Sequence, residues 1–320
     1  MQVGQAAASR LKTLYDSAEV ADLVAGVKAG QRLALSRAIT LVESTRPQHK
    51  EAAAALLSQL ASTSVLSSSA PLTGLRVGIS GPPGAGKSTL IETLGCHLVE
   101  KGEKVAVLAV DPSSVQTGGA ILGDKTRMAS LCEAAGYRWI LIETVGVGQS
   151  EVAVSELCDC MLLVVPPLGG DGLQVIKRGI TQMADLVLVN KADGDGALPA
   201  RRAAASFRGA LHFHRQRHAA WSPRVLTASA VTKAGVPELE EAMLEFREAV
   251  AGSGELQRQR REQAIRLTWK AAEEGLLESL ADSRGVQQTL RDLRPRIAAG
   301  QLATRPAAEA LLAALRADWA

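Results

Sequence analysis

Apolar positions along the chain follow two periods. From about Ala18 to Leu60 they recur at helical spacing, with Leu35, Ile39 and Val42 on one face, until Pro47 breaks the run. A Ser-rich stretch, Ser62 to Pro71, reads as a linker. Beyond it the pattern changes to short, almost wholly apolar runs near Leu75 to Ile79, Lys104 to Val110, Trp139 to Ile142, Met161 to Val165, Asp185 to Val189 and Arg224 to Ala228. Helical or loop segments separate them, and that alternation predicts an α/β fold with a doubly wound, mainly parallel sheet. After Gly252 the helical period returns, with Ile265, Trp269, Ala272, Leu276 and Leu280 on one stripe and a last Ala/Leu-rich segment from Pro306 to Leu315. The expected division is a helical extension and linker over residues 1–70, a nucleotide domain over 71–250 and a helical arm over 251–320. An arm outside a complete domain must bury its apolar face somewhere, and a second subunit is one option.

The first predicted strand runs straight into Gly81-Pro82-Pro83-Gly84-Ala85-Gly86-Lys87-Ser88. A G-x-x-x-x-G-K-S loop between a strand and a helix turns backbone N–H groups and a helix N-terminus toward a phosphate. Its glycines permit the curvature and the close approach. Lys87 is expected to reach the β- and γ-phosphates, and the Ser88 hydroxyl to take one position on Mg²⁺. Leu90, Ile91, Leu94 and Leu98 follow at helical spacing, with Gly102 placed to end that helix.

Asn190-Lys191-Ala192-Asp193 follows the apolar run Leu186 to Val189, at a strand end where open α/β sheets bind ligands. The Asp193 carboxylate can accept from the guanine N1–H and exocyclic amine, whereas adenine offers an acceptor at N1. Buried polar complementarity of that kind discriminates by about 10⁴ or more. Asn190 is expected to brace the loop and meet the purine edge, with the Lys191 stem over one ring face. Ser229-Ala230-Val231, after another strand, is placed to give a backbone N–H to guanine O6. The three pieces, in this order, predict binding of GTP and GDP.

Hydrolysis needs carboxylates for the metal's shell and loops that sense the γ-phosphate. Asp111 ends the second predicted strand. Glu143 ends the third, inside Glu143-Thr144-Val145-Gly146, which stands where many GTPases have Asp-x-x-Gly. Glu143 is therefore expected to bind Mg²⁺ directly or through water, and Gln149 to orient an attacking water. Thr117 to Met128 is too glycine-rich at its start for a helix and too polar for core, and reads as a mobile switch. A second loop of that kind runs from Leu168 to Gln174, followed by Ile176-Lys177-Arg178-Gly179.

Composition narrows the classes. A formal net charge of +3 leaves no electrostatic footprint for nucleic acid or an anionic membrane. The densest basic cluster, Arg258, Arg260 and Arg261, reads as a solvated helix face. Four cysteines in 320 residues make no disulfide framework. Cys158 and Cys160 open a strand-like run and read as small hydrophobes, while His212, His214 and His218 lie among arginines and read as an exposed loop or helix face rather than a metal site. No apolar run is long enough to cross a membrane and no hydrophobic signal core opens the chain, so a cytoplasmic protein is expected.

The run from Asp111 through Met128, the segment Glu143 to Glu151, Gly169-Gly170-Asp171 with Lys177-Arg178-Gly179, and Asn190 to Asp193 together resemble the MeaB/ArgK family of SIMIBI-class P-loop GTPases, whose animal counterpart is called MMAA. The similarity extends upstream to Leu35 to Ser44 and downstream into the helical tail. It implies a GTP-hydrolysing chaperone for an adenosylcobalamin-dependent acyl-CoA mutase, usually methylmalonyl-CoA mutase. Such proteins gate loading of the cofactor from a cobalamin adenosyltransferase and protect or reactivate the mutase, and they are homodimers joined through the C-terminal arm. Carried over, the resemblance assigns Gly81 to Thr89 to phosphates, Ser88, Asp111, Asp124 and Glu143 to the Mg²⁺ shell, and Asp193 with Ser229 to Val231 to guanine. The chain departs from the family pattern at Val115 and at Gly172, the latter in a loop implied to relay the nucleotide state. A nickel-insertion GTPase and a kinase of the family's older transport-ATPase label are the alternatives that share the phosphate loop.

Overall fold

The computed structural model describes residues 18–44, 46–64, 74–110, 120–144, 154–167, 183–211 and 216–319. Among the described residues six strands form one sheet: β1 (Leu75–Ser80), β2 (Val105–Val110), β3 (Trp139–Thr144), β4 (Cys160–Val165), β5 (Leu186–Val189) and β6 (Arg224–Thr227). Their order is β2-β3-β1-β4-β5-β6 and every pairing is parallel. The doubly wound expectation is met. β1, β4 and β5 are buried along their whole length, as parallel strands covered by helices on both faces must be.

Helices α1 (Ala18–Lys28), α2 (Arg32–Glu43) and α3 (Pro47–Ser64) precede the sheet. Pro47 does end the first helical run, and it also opens the next helix, where its missing N–H costs nothing. Val27, Ala38 and Leu56 of these helices pack with Leu131 of α5 (Ala120–Ala134), the helix between β2 and β3, and with Ala135 just after it. Between β1 and β2 runs α4 (Lys87–Glu100). Its Leu90, Leu94 and Leu98 share a core with Leu75, Val77, Ile79 and with Leu239, Met243 and Phe246 of α7 (Val236–Gly252). On the other side Ala200, Ala204 and Phe207 of α6 (Ala197–Leu211) pack on Leu163, Val187 and Val189.

Three expectations need correction. The stretch from Thr117 to Met128 is not loop throughout: α5 begins at Ala120, takes in Gly123, and buries Met128. Arg260, on α8 (Glu255–Asp282), is not on a solvated face but only 7% exposed. Its guanidinium holds Asp159 at 2.8 and 2.5 Å, Glu133 at 2.9 Å and the Gly74 carbonyl at 2.9 Å. Arg76 completes the cluster, binding Glu133 at 2.6 Å and donating its backbone N–H to Asp159 at 2.9 Å. Burial alone would raise the Asp159 pKa, but Arg260 and Arg76 hold it below the ordinary value. His218, finally, is buried, edge-on to Phe246 and 3.5 Å from both Asp185 Oδ1 and Glu255 Oε2, and burial lowers its pKa. His212 and His214 lie outside the described residues. Cys158 and Cys160 are buried, and burial pushes the Cys158 thiol up to about 11.

The chain divides into a larger unit that ends at Ala264 and a smaller one that runs from Ile265 to Ala320. The smaller unit holds the rest of α8 with α9 (Arg284–Ala298) and α10 (Thr304–Asp318). The Ser283 hydroxyl caps α9 at Val286 N, 3.0 Å away, and Asp318 at the end of α10 accepts from that hydroxyl at 2.5 Å and from Gly285 N at 3.1 Å. Trp269, Leu276 and Leu277 of α8 are exposed. Among the described residues no helix is long and apolar enough to cross a membrane.

Candidate nucleotide-binding site

The carboxyl ends of β1, β3, β4, β5 and β6 lie side by side, and the loops that leave β1, β5 and β6 meet there. Gly81 leaves β1 with φ +151°, and a Cβ at this position would lie 1.9 Å from the Val164 carbonyl oxygen on β4. No other residue lets the loop start so close to the sheet. Gly84 and Gly86 also take left-handed φ, and Gly86 is the N-cap of α4, so Lys87 and Ser88 open the helix at its positive end. Lys87 curls back on the loop and donates to the carbonyls of Gly81 at 2.8 Å and Pro82 at 3.2 Å.

Across from the loop stands Glu143. The β3 register sets it between Ile79 on β1 and Ala109 on β2. The Ser88 hydroxyl donates to its Oε1 at 2.7 Å. A cleft of about 290 Å³ lies there, lined by Gly84, Gly86, Lys87, Ser88, Thr89, Glu143 and Thr144. A hydroxyl and a carboxylate side by side at a helix N-terminus are hard oxygen donors of the kind Mg²⁺ takes. Asp111 and Gln149 lie outside the described residues, as do Val115, Asp171 and Gly172. Asp124 falls on α5, and its side chain is outside what is described.

Asn190, 1% exposed, sits where the loops converge. Its Nδ2 donates to the carbonyls of Ala85 at 3.0 Å and Gly86 at 3.4 Å, and its Oδ1 accepts from Ala230 N at 3.2 Å. Both ends of the amide are thus bonded to protein, and they tie the phosphate loop to the loop after β6. Lys191 adopts φ +58°, rare for a residue with a side chain, and turns the chain out of the sheet. Asp193 follows, half-buried, as the N-cap of the short 3-10 turn Gly194–Gly196, with no cap hydrogen bond drawn from its carboxylate. The Ser229 hydroxyl accepts from Thr232 N at 3.1 Å and its own N–H donates to Ala234 O at 2.9 Å, a closed turn that leaves Val231 exposed.

Sequence reasoning missed one participant. Thr93 of α4 donates toward the Ala230 carbonyl at 2.8 Å and lies 2.9 Å from Thr89 O. Its only sequence signal is a hydroxyl residue beside the buried Leu90 and Leu94 on an otherwise apolar helix face.

A family model described as methylmalonyl Co-A mutase-associated GTPase MeaB matches residues 35–131 and 129–284. The chain belongs to the MeaB family of GTPases. A probable GTPase of Mycobacterium bovis is 43% identical over 328 residues, covering 93% of this chain and 96% of the relative. The mitochondrial methylmalonic aciduria type A homolog of Mus musculus is 41% identical, over 92% of this chain and 79% of its own length. Among solved structures, one titled LAO/AO transport system kinase is 34% identical with a TM-score of 0.72, covering 94% of this chain and 99% of that one. The phosphate loop, the Asn190 brace and Asp193 all fall inside the span that the MeaB family model matches.

Proposed function

We infer that the chain is a GTP-hydrolysing chaperone of an adenosylcobalamin-dependent acyl-CoA mutase, methylmalonyl-CoA mutase being the family's partner. It gates cofactor loading from a cobalamin adenosyltransferase and protects or reactivates the mutase. It works in the cytoplasm as a homodimer joined through its C-terminal helices, whose exposed Trp269, Leu276 and Leu277 are apolar enough for an interface. The observation that supports the nucleotide half is the buried amide of Asn190, which ties the phosphate loop to the Ser229 to Val231 loop. Family membership supports the mutase half.

In this reading Gly81 to Thr89 wrap the phosphates and Lys87 exchanges the Gly81 and Pro82 carbonyls for β- and γ-phosphate oxygens. Ser88 and Glu143, joined by Asp111 and Asp124 on the family pattern, would hold Mg²⁺, which neutralises charge on the phosphates when bound. Gln149 orients the attacking water. Asp193 takes the guanine N1–H and amine, Lys191 covers the ring, and Ser229 to Val231 present an N–H to O6. Hydrolysis by the chain alone is slow, and the mutase accelerates it by fixing the switch loops, with an arginine from either protein worth about 10³ to 10⁵ in rate.

The deciding measurement is phosphate release from GTP with and without methylmalonyl-CoA mutase, with ATP as the control. Stimulation confined to GTP is expected. Guanine-specific turnover indifferent to the mutase would keep the GTPase and overturn the partner. Turnover of ATP at a comparable rate would overturn the guanine site.

A further inference from the structure

Ala230 is held from two sides by elements far apart in sequence. Its N–H donates to Asn190 Oδ1 at 3.2 Å, and its carbonyl accepts from Thr93 Oγ1 at 2.8 Å. Thr93 is 9% exposed and stands on α4, the helix that begins at the phosphate loop. A helical threonine has a ready acceptor in the carbonyl four residues back, and Thr89 O is indeed 2.9 Å away. The hydroxyl has one proton, which the two carbonyls share; the contact with Ala230 O, at 2.8 Å, is the shorter, and α4 could satisfy the hydroxyl without it. What it restrains is the loop.

The restraint has a direction. The peptide joining Ala230 to Val231 is planar and trans, so its carbonyl and its N–H point opposite ways. With the Ala230 carbonyl drawn onto α4, the Val231 N–H faces away from α4. Val231 is 78% exposed, and its N–H meets no acceptor among the described residues. Neighbouring donors are committed: Ser229 N to Ala234 O, Ala230 N to Asn190, and Thr232 N to the Ser229 hydroxyl.

We propose that Thr93 is a positioning residue for guanine recognition: its hydroxyl fixes the Ala230–Val231 peptide so that the Val231 N–H is aimed at O6 of the base. Because Thr93 rides on the helix whose first residues cradle the phosphates, it sets the distance between phosphate and base subsites. This rests on the reading that the Ser229 to Val231 loop meets guanine. A donor aimed at O6 rewards guanine and gives nothing to a purine that lacks that oxygen.

The test uses the full chain with Thr93→Val, which keeps the β-branched shape, and Thr93→Ser, which keeps the hydroxyl. Dissociation constants are measured for GDP and for the diphosphate of 2-aminopurine riboside, which has no O6. Thr93→Val is expected to weaken GDP about tenfold, the scale of one hydrogen bond, and the 2-aminopurine nucleotide less than about twofold, while Thr93→Ser binds both nearly as the native chain does. Equal weakening of both nucleotides by Thr93→Val would show a general effect on the loop and overturn the proposal. Unchanged GDP binding would overturn it as well. Asp193→Asn separates this failure from failure of the site: it should move preference from guanine to xanthine nucleotides. If that exchange fails, the guanine site and the role of Thr93 fall together. If it succeeds while Thr93→Val is silent, only Thr93 is wrong.

Discussion

A buried side chain with all its polar atoms committed is worth more to a binding site than an exposed one poised over the ligand, because it makes the site rigid before the ligand arrives. Asn190 is such a residue, with two carbonyls of the phosphate loop on one end and the Ala230 N–H on the other. Truncation to alanine leaves those groups without their partner and frees the two loops from one another. Asn190→Ala is expected to weaken GDP by about two orders of magnitude, read by fluorescent-nucleotide displacement, with a smaller loss of thermal stability. Indifference of GDP affinity to that change would show that the loops hold their places without it. The motif itself was legible because its parts are contiguous. That Asn190 bonds to Ala85 and Ala230 was not, since these partners lie 105 and 40 positions away.

Elements of the central sheet could be read from sequence because strands buried on both faces are mostly apolar, as β4 and β5 are throughout and β1 is apart from Arg76 and Ser80. Charge was harder to place. Arg260 has arginines two residues before and one after it, on a helix of low mean hydropathy, and nothing local distinguishes it from Arg258 and Arg261, which are exposed. Its carboxylate partners come from the residue before β4 and from α5, so the fold, not the helix, decides its burial. The cluster joins four elements at the amino-terminal end of the sheet, opposite the nucleotide. Glu133, 7% exposed, serves both Arg76 and Arg260. Glu133→Gln should therefore cost about 3 to 5 kcal/mol in urea unfolding, the usual consequence of removing one partner from a buried ion cluster. A loss below about 1 kcal/mol would place the cluster in solvent-like surroundings.

At the scale of the whole chain, the sheet and its covering helices account for the larger unit, and α8 starts inside that unit and ends in the smaller one. The root of α8 is bonded into the sheet: Gln259 and Gln263 donate to the Cys158 carbonyl at 3.0 and 2.9 Å, and Arg260 neutralises Asp159. Those bonds bear on where the protein can be divided. A chain ended at Gly252 keeps all six strands of the sheet yet removes the guanidinium that pairs with Asp159 and Glu133 and the helix that covers them. A chain ended at Ala264 retains the whole cluster. The first is expected to be insoluble or unfolded by circular dichroism, and the second to fold and to bind GDP with native affinity; equal behaviour of the two would refute this. The outgoing helix thus works as a stopper for the domain it leaves, and grafting the nucleotide module onto another protein requires taking the stopper along.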